Sequence, residues 1–124
     1  MKKAIIVEDN MLISVIYRQY LKKLNYEIIG EVTKGESAIE ILQEENVDVI
    51  IMDIMLDGDL DGIDTVIELR KKMDTPVIFA SGNSDELKKG RINSITNSLF
   101  LVKPVSDYDF QMAVKKMEKE SSSN

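Results

Sequence analysis

The chain has 124 residues, the length of one ordinary domain and enough to bury a core. Apolar residues at 44% and charged residues at 31% give a globular balance. Its 22 acids against 16 Lys plus Arg leave a net charge of −6, which repels phosphate backbones and anionic lipid, so neither nucleic acid nor a membrane is expected as a direct partner. Cysteine and histidine are both absent, which excludes disulfides, thiolate zinc sites, cysteine nucleophiles and imidazole bases. Chemistry is left to carboxylate, hydroxyl, Lys and Arg, and any metal must be a hard cation on oxygen.

The opening Lys2-Lys3-Ala4-Ile5-Ile6-Val7 breaks off at Glu8-Asp9, so it is not a signal peptide, and no apolar run reaches membrane-spanning length. A soluble, cytoplasmic protein is expected. Residues 4–7 form a short β-branched run, the first predicted strand. Leu12, Val15, Ile16, Tyr20, Leu21 and Leu24 then recur at helical spacing behind Asn10 as cap. Residues 28–32 predict a second strand, and Ala38, Ile39 and Leu42 mark a helix over about 35–45. The nearly continuous apolar run at 47–52 suits a strand covered on both faces.

Ile63, Val66, Ile67 and Leu69 give a third helix ending before Asp74-Thr75-Pro76, followed by strands at 77–80 and 99–102. A last helix from about Ser106 buries Phe110, Val114 and Met117. Between these, 84–98 offers Leu87, Ile92 and Ile95 to a core, but Gly90 and the Asn/Ser content disfavour a long helix there; Ser84 is a candidate cap. Residues 1–120 are expected as the domain, with 121–124 a disordered tail or the start of a linker. Strands alternating with helices predict an α/β domain, a doubly wound five-stranded parallel sheet in the flavodoxin-like order 2-1-3-4-5.

Ligands of such sheets bind beyond the carboxyl ends of the strands. There stand Glu8 and Asp9 after strand one, Asp53 after strand three, Ser81 after strand four and Lys103 after strand five. Three converging carboxylates repel and raise one another's pKa unless positive charge lies among them. Lys103 and a divalent cation are the candidates, and Mg²⁺ with retained waters fits an oxygen-only ligand set. A carboxylate beside Mg²⁺, a lysine and a hydroxyl is equipped to receive a phosphoryl group. Asp53, alone at the end of the central strand, is the candidate acceptor; Ser81 is placed to hydrogen-bond a phosphoryl oxygen, and Gly82 leaves room for its approach.

The set Val7-Glu8-Asp9-Asn10, Ile51-Met52-Asp53-Ile54-Met55-Leu56, Ile78-Phe79-Ala80-Ser81-Gly82 and Leu101-Val102-Lys103-Pro104 resembles the receiver domain of two-component response regulators, over essentially the whole chain apart from the tail. The resemblance implies a phosphorylation-dependent switch rather than a conventional enzyme. Asp53 would take phosphate from a histidine kinase or phosphotransfer protein. Asp9, Asp53 and the backbone carbonyl of Met55 would ligand Mg²⁺ with Glu8 assisting, Lys103 would contact the phosphoryl group, and the bond before Pro104 would be cis. Ser81 and Phe100 match the pair that couples phosphorylation to a surface near strand five. An output protein or a missing C-terminal output domain is implied, as is a possible homodimer through helix four, strand five and helix five.

The sequence departs from the usual pattern in carrying Glu8 for Asp and Ser81 for Thr, in lacking a proline after Asp53, and in reaching Asp61-Gly62 one residue late. It also lacks the Ala-Gly-Ala stretch before strand five. Singly, each motif has a plain structural reading: a solvated acidic pair, a strand end, a turn, or Phe100 as core. An interaction module that keeps the fold without being phosphorylated is one alternative. Another is calcium, since Asp57-Gly58-Asp59-Leu60-Asp61-Gly62 with Glu68 matches an EF-hand loop. That loop requires a helix on each side, and here the upstream flank is strand-like. A metal-dependent aspartyl phosphatase would want an acid where Met55 stands.

Overall fold

A computed structural model of the chain describes the backbone of residues 1–82 and 86–122 and the side chains of residues 1–82 and 90–120. The elements run β1 (Lys2–Val7), α1 (Met11–Lys23), β2 (Tyr26–Val32), α2 (Gly35–Leu42), β3 (Val49–Asp53), α3 (Gly62–Leu69), β4 (Val77–Ser81), α4 (Glu86–Asn93), β5 (Ser98–Val102) and α5 (Asp107–Ser122). Their sheet has the order β2-β1-β3-β4-β5 with every neighbouring pair parallel, so the expected doubly wound α/β fold is present.

Two apolar layers form because successive strand residues point to opposite faces. Ala4, Ile6, Val49, Ile51, Ile78 and Ala80 face one cluster, completed by Tyr17 and Leu21 of α1 and by Phe110, Val114 and Met117 of α5. Ile5, Val7, Ile50, Met52, Val77 and Phe79 face the other, completed by Ala38 and Leu42 of α2, Val66 and Leu69 of α3, and Ile92 of α4. β3 and β4 are buried at every position, as central strands of a sheet covered on both sides must be. Each fully buried Ile or Phe of these layers contributes roughly 1.5–3 kcal/mol.

The Asn10 cap forms: its side chain accepts from the N–H groups of Leu12 and Ile13 at 3.0 and 3.2 Å. The buried face of α1 differs from the periodic set, however. Ser14, Tyr17 and Leu21 are buried, whereas Leu12 and Ile16 are 77% and 42% exposed. The face turned to the sheet is the one that carries Ser14, Tyr17 and Leu21, which turns Leu12 and Ile16 towards solvent, and Ser14 is admitted because its hydroxyl donates to Glu31 at 2.9 Å. α4 is a helix of about two turns, and its Ile92 and the Ile95 that follows it are buried as expected. The expected Ser84 cap and the side chain of Leu87 lie outside what is described. α5 carries the backbone of Ser121 and Ser122, two residues read as tail; Ser123 and Asn124 lie outside the described residues. No helix among the described residues is long and apolar enough to cross a membrane.

Candidate functional site

The alternation that builds the two layers also sorts the strand-end residues. Glu8, Asp53 and Lys103 continue the parity of Ile6, Ile51 and Leu101, on the side of α1 and α5. Ser81 and Phe100 share the opposite parity with Phe79, and Phe100 packs, partly buried, against the layer of α2, α3 and α4. Glu8 stays in register with the sheet through its N–H, which donates to the carbonyl of Val32 at 2.9 Å.

The acids and the lysine meet. Lys103 Nζ lies 2.8 Å from Glu8 Oε1 and 3.2 Å from Asp53 Oδ2, with both acids buried. Glu8 Oε2 accepts from Asn10 N at 3.0 Å, and Asp53 Oδ1 from Met55 N at 3.3 Å. Glu8 Oε1 has Lys103 as its partner at 2.8 Å, and no further donor is aligned on it among the described residues. Asp9 is exposed at the rim, and one carboxylate oxygen from each of Glu8, Asp9 and Asp53 lies within 4.8 Å of the others. A cation with ligands at ~2.1 Å spans opposed oxygens about 4 Å apart, so the three acids fit Mg²⁺ directly or through retained water. Three converging carboxylates with one ammonium among them leave an excess of negative charge, and that donor set is the observation that favours such a group.

Two buried carboxyls beside one ammonium cannot both ionise freely. Burial, then the hydrogen bond and charge of Glu8, push Asp53 up to about 7 against the pull of Lys103. Glu8 goes the other way. Burial raises it, but Lys103, the Asp53 carboxyl and the N–H of Asn10 together hold it below the usual carboxylate range. The pair therefore titrates as a unit that retains a proton near neutrality when no metal is present. Lys103 is raised despite burial by the two acids.

Ser81 is buried at the end of β4, and its carbonyl accepts from Lys103 N at 2.8 Å, tying the end of β4 to the residue that carries the ammonium. The bond between Lys103 and Pro104 is cis. A β carbon on Gly82 would meet nothing within 4 Å, so the open space there does not depend on that glycine. Met55 projects its side chain outward, 59% exposed.

Two contacts were not visible as motifs. A β carbon on Gly62 would sit 2.0 Å from the carbonyl oxygen of Asp53, so α3 begins in backbone contact with the candidate acceptor. Tyr17 lies beneath the acids, its buried hydroxyl without a hydrogen-bond partner among the described residues and pushed up by burial and by the charges of Glu8 and Asp53.

The acidic loop does not assemble a calcium site. Its upstream flank is β3, and Asp61 serves as the α3 cap, accepting from Asp64 N at 2.7 Å while Asp64 accepts from Asp61 N at 3.3 Å. Among the described residues, Glu8, Asp9 and Asp53 are the one group of three acids close enough to share an ion. The EF-hand spacing reflects a capping box in an acidic loop.

Fold and site together define a receiver domain, and comparison with known proteins agrees. The family model for the response regulator receiver domain matches residues 4–115, and the chain belongs to that family. It is 31% identical to the transcriptional regulatory protein ResD of Bacillus subtilis over 120 residues, covering 97% of this chain and 49% of ResD. Thus the chain spans about half the length of the curated relatives it matches. Among solved structures it resembles the signal receiver domain of a modulated diguanylate cyclase from Desulfovibrio desulfuricans, at 30% identity and a TM-score of 0.82, covering 97% of this chain and 98% of that one. It shares its fold with the receiver domain of the sensor histidine kinase PA1611 from Pseudomonas aeruginosa, solved with magnesium coordinated in its active-site cleft. That pair aligns at 23% identity and a TM-score of 0.82, over 94% of this chain and 96% of the other.

Proposed function

We propose that the domain is a phosphorylation-dependent switch whose acceptor is Asp53, with Glu8, Asp9, Asp53 and the carbonyl of Met55 holding Mg²⁺. The observation that carries this reading is the packing of Asp53 against Lys103 and Glu8 at the end of the central strand. A carboxylate oxygen of Asp53 forms a bond to phosphorus as the P–N bond to the donor imidazole breaks; the electron pair leaves on that nitrogen, which takes up a proton. Bound Mg²⁺ supplies charge neutralisation at the phosphoryl oxygens. Lys103 is already drawn to Asp53 and supplies a fixed cation there, while the N–H of Met55 orients the Asp53 carboxylate.

The phosphodonor in this reading is a histidine kinase or phosphotransfer protein. Exposed Met11, Leu12 and Ile16 on α1, beside a cavity of about 360 Å³ lined by Ile16, Tyr20, Gly82, Lys103 and Pro104, offer it an apolar landing surface next to the acceptor. Ser81 approaches the phosphoryl group and Phe100 fills the vacated space, shifting the population of the β5 surface. The groove of about 510 Å³ between β5 and α5, floored by Leu99, Leu101 and Met112 and edged by Lys115 and Lys116, supports that face as the output or homodimer surface. An output domain or separate target completes a cytoplasmic signalling protein. Switching, rather than turnover of a substrate, is the activity.

Incubation with phosphoramidate and Mg²⁺, followed by hydroxylamine and peptide mass mapping, tests the acceptor. An acyl phosphate is lost to hydroxylamine and leaves its hydroxamate at Asp53. A hydroxylamine-resistant phosphate on a serine would contradict the reading.

A further inference from the structure

The loop that follows Asp53 is held far more firmly than its sequence suggests. Its ends are joined by Gly62 N, which donates to the carbonyl of Ile54 at 2.8 Å, closing the segment that contains Met55. Its tip is held from α2. Asp59 N donates to Glu36 Oε2 at 3.1 Å, and the backbone N–H of Glu36 itself, then those of Asp59 and Leu60, hold the Glu36 carboxyl low. Gly58 arches over that carboxylate at φ +92, where a β carbon would lie 2.9 Å from Oε2. Alongside, Lys34 and Asp57 form a parallel bridge. The exit of the loop is held from α4 by Arg91, 2.6 Å from Asp64 and 3.4 Å from Asp61.

A loop without proline has no built-in stiffness at this position, yet the proposed metal ligand at Met55 is a backbone carbonyl that only the loop's path can aim. Glu36 supplies the missing constraint from outside, because a carboxylate accepting backbone N–H groups fixes a turn much as an Asx or capping side chain does. We propose that Glu36 is a positioning residue for the cation site: it clamps the tip of the loop after Asp53 and so fixes the carbonyl of Met55. The inference rests on the metal reading above and adds a residue outside the acidic cluster, on a different helix, whose role is to orient rather than to ligand.

Calorimetric titration of the full chain with MgCl₂ tests it, with thermal midpoints in EDTA as the folding control. Removal of an outer partner of a metal ligand weakens affinity by on the order of 10-fold, and that is the loss expected for Glu36→Ala. Glu36→Gln keeps an oxygen able to accept the same N–H groups without the charge, and is expected to bind Mg²⁺ within about 3-fold of wild type. Gly58→Ala attacks the clamp from the loop side, since a side chain disfavours positive φ, and is expected to weaken Mg²⁺ as Glu36→Ala does. Glu36 is exposed, so the folding midpoints in EDTA should stay close to wild type for both of its variants. Wild-type affinity in Glu36→Ala overturns the proposal. Equal losses in Glu36→Ala and Glu36→Gln also overturn it, because long-range attraction of the cation by charge would then account for the effect. A wild type that takes up no Mg²⁺ overturns the metal reading itself and this proposal with it, and the wild-type arm distinguishes that failure from the other two.

Discussion

Replacing Asp53 by Asn should stabilise this domain while removing the proposed acceptor. In the folded protein the Asp53 carboxyl is displaced from 3.8 to about 7, chiefly by burial and then by Glu8. At ~1.4 kcal/mol per pKa unit, ionising it in the folded state costs up to about 4 kcal/mol relative to the unfolded chain. Part of that is returned by Glu8, whose carboxyl is held low by the same lysine, and Asn gives up the 3.2 Å ion pair to Lys103. A net gain of roughly 1–3 kcal/mol at pH 8 is therefore expected, a rise of roughly 3–10 °C in Tm. The sign follows from proton counts. Between the unfolded and folded values the native state holds the extra proton, so the contribution of Asp53 to wild-type stability falls as pH rises from about 4 towards 7. The advantage of Asp53→Asn should accordingly be largest at pH 8 and shrink by about 2 kcal/mol or more at pH 5. Circular dichroism melts in EDTA at the two pH values measure it, and saturating Mg²⁺ should close the gap by stabilising only the wild type. An Asn variant no more stable than wild type at pH 8, or equally favoured at both pH values, would show that Asp53 is not held protonated by its burial beside Glu8.

Lys103→Met leaves two buried acids without their cation, and should cost about 3 kcal/mol in EDTA by urea denaturation, with much of the loss recovered in Mg²⁺. Tyr17→Phe removes a buried hydroxyl that has no partner among the described residues, so stability should hold or rise by about 1 kcal/mol; a clear loss would show that the hydroxyl is engaged. Gly62→Ala drives a methyl into the Asp53 carbonyl 2.0 Å away, and should lower stability by about 2 kcal/mol or more while also slowing phosphoryl uptake.

Much of the fold was legible because a parallel sheet writes its burial into continuous apolar runs, and because position after a strand fixes where a polar side chain emerges. Asp53, Glu8 and Lys103 could be placed in one space from strand order alone. Other features depend on contacts that no periodicity encodes. Leu12 and Ile16 belong to the apolar periodicity of α1, but the rotation of the helix on the sheet, which buries Ser14, Tyr17 and Leu21 instead, is set by tertiary packing. Ser14 is buried because Glu31 of β2 accepts its hydroxyl, a partner supplied by tertiary packing. The EF-hand spacing was a local pattern whose oxygens had a competing local use in capping α3. Glu36 carried no signal at all, because the loop N–H it accepts lies more than twenty residues away in the chain.

The most direct test of the central claim is the intact mass of wild type and Asp53→Asn after incubation with acetyl phosphate, with Mg²⁺ or with EDTA. The wild type with Mg²⁺ should gain one phosphoryl group, and the other three samples none. A gain that survives EDTA or the loss of Asp53, or a wild type that gains nothing while demonstrably binding Mg²⁺, would contradict it.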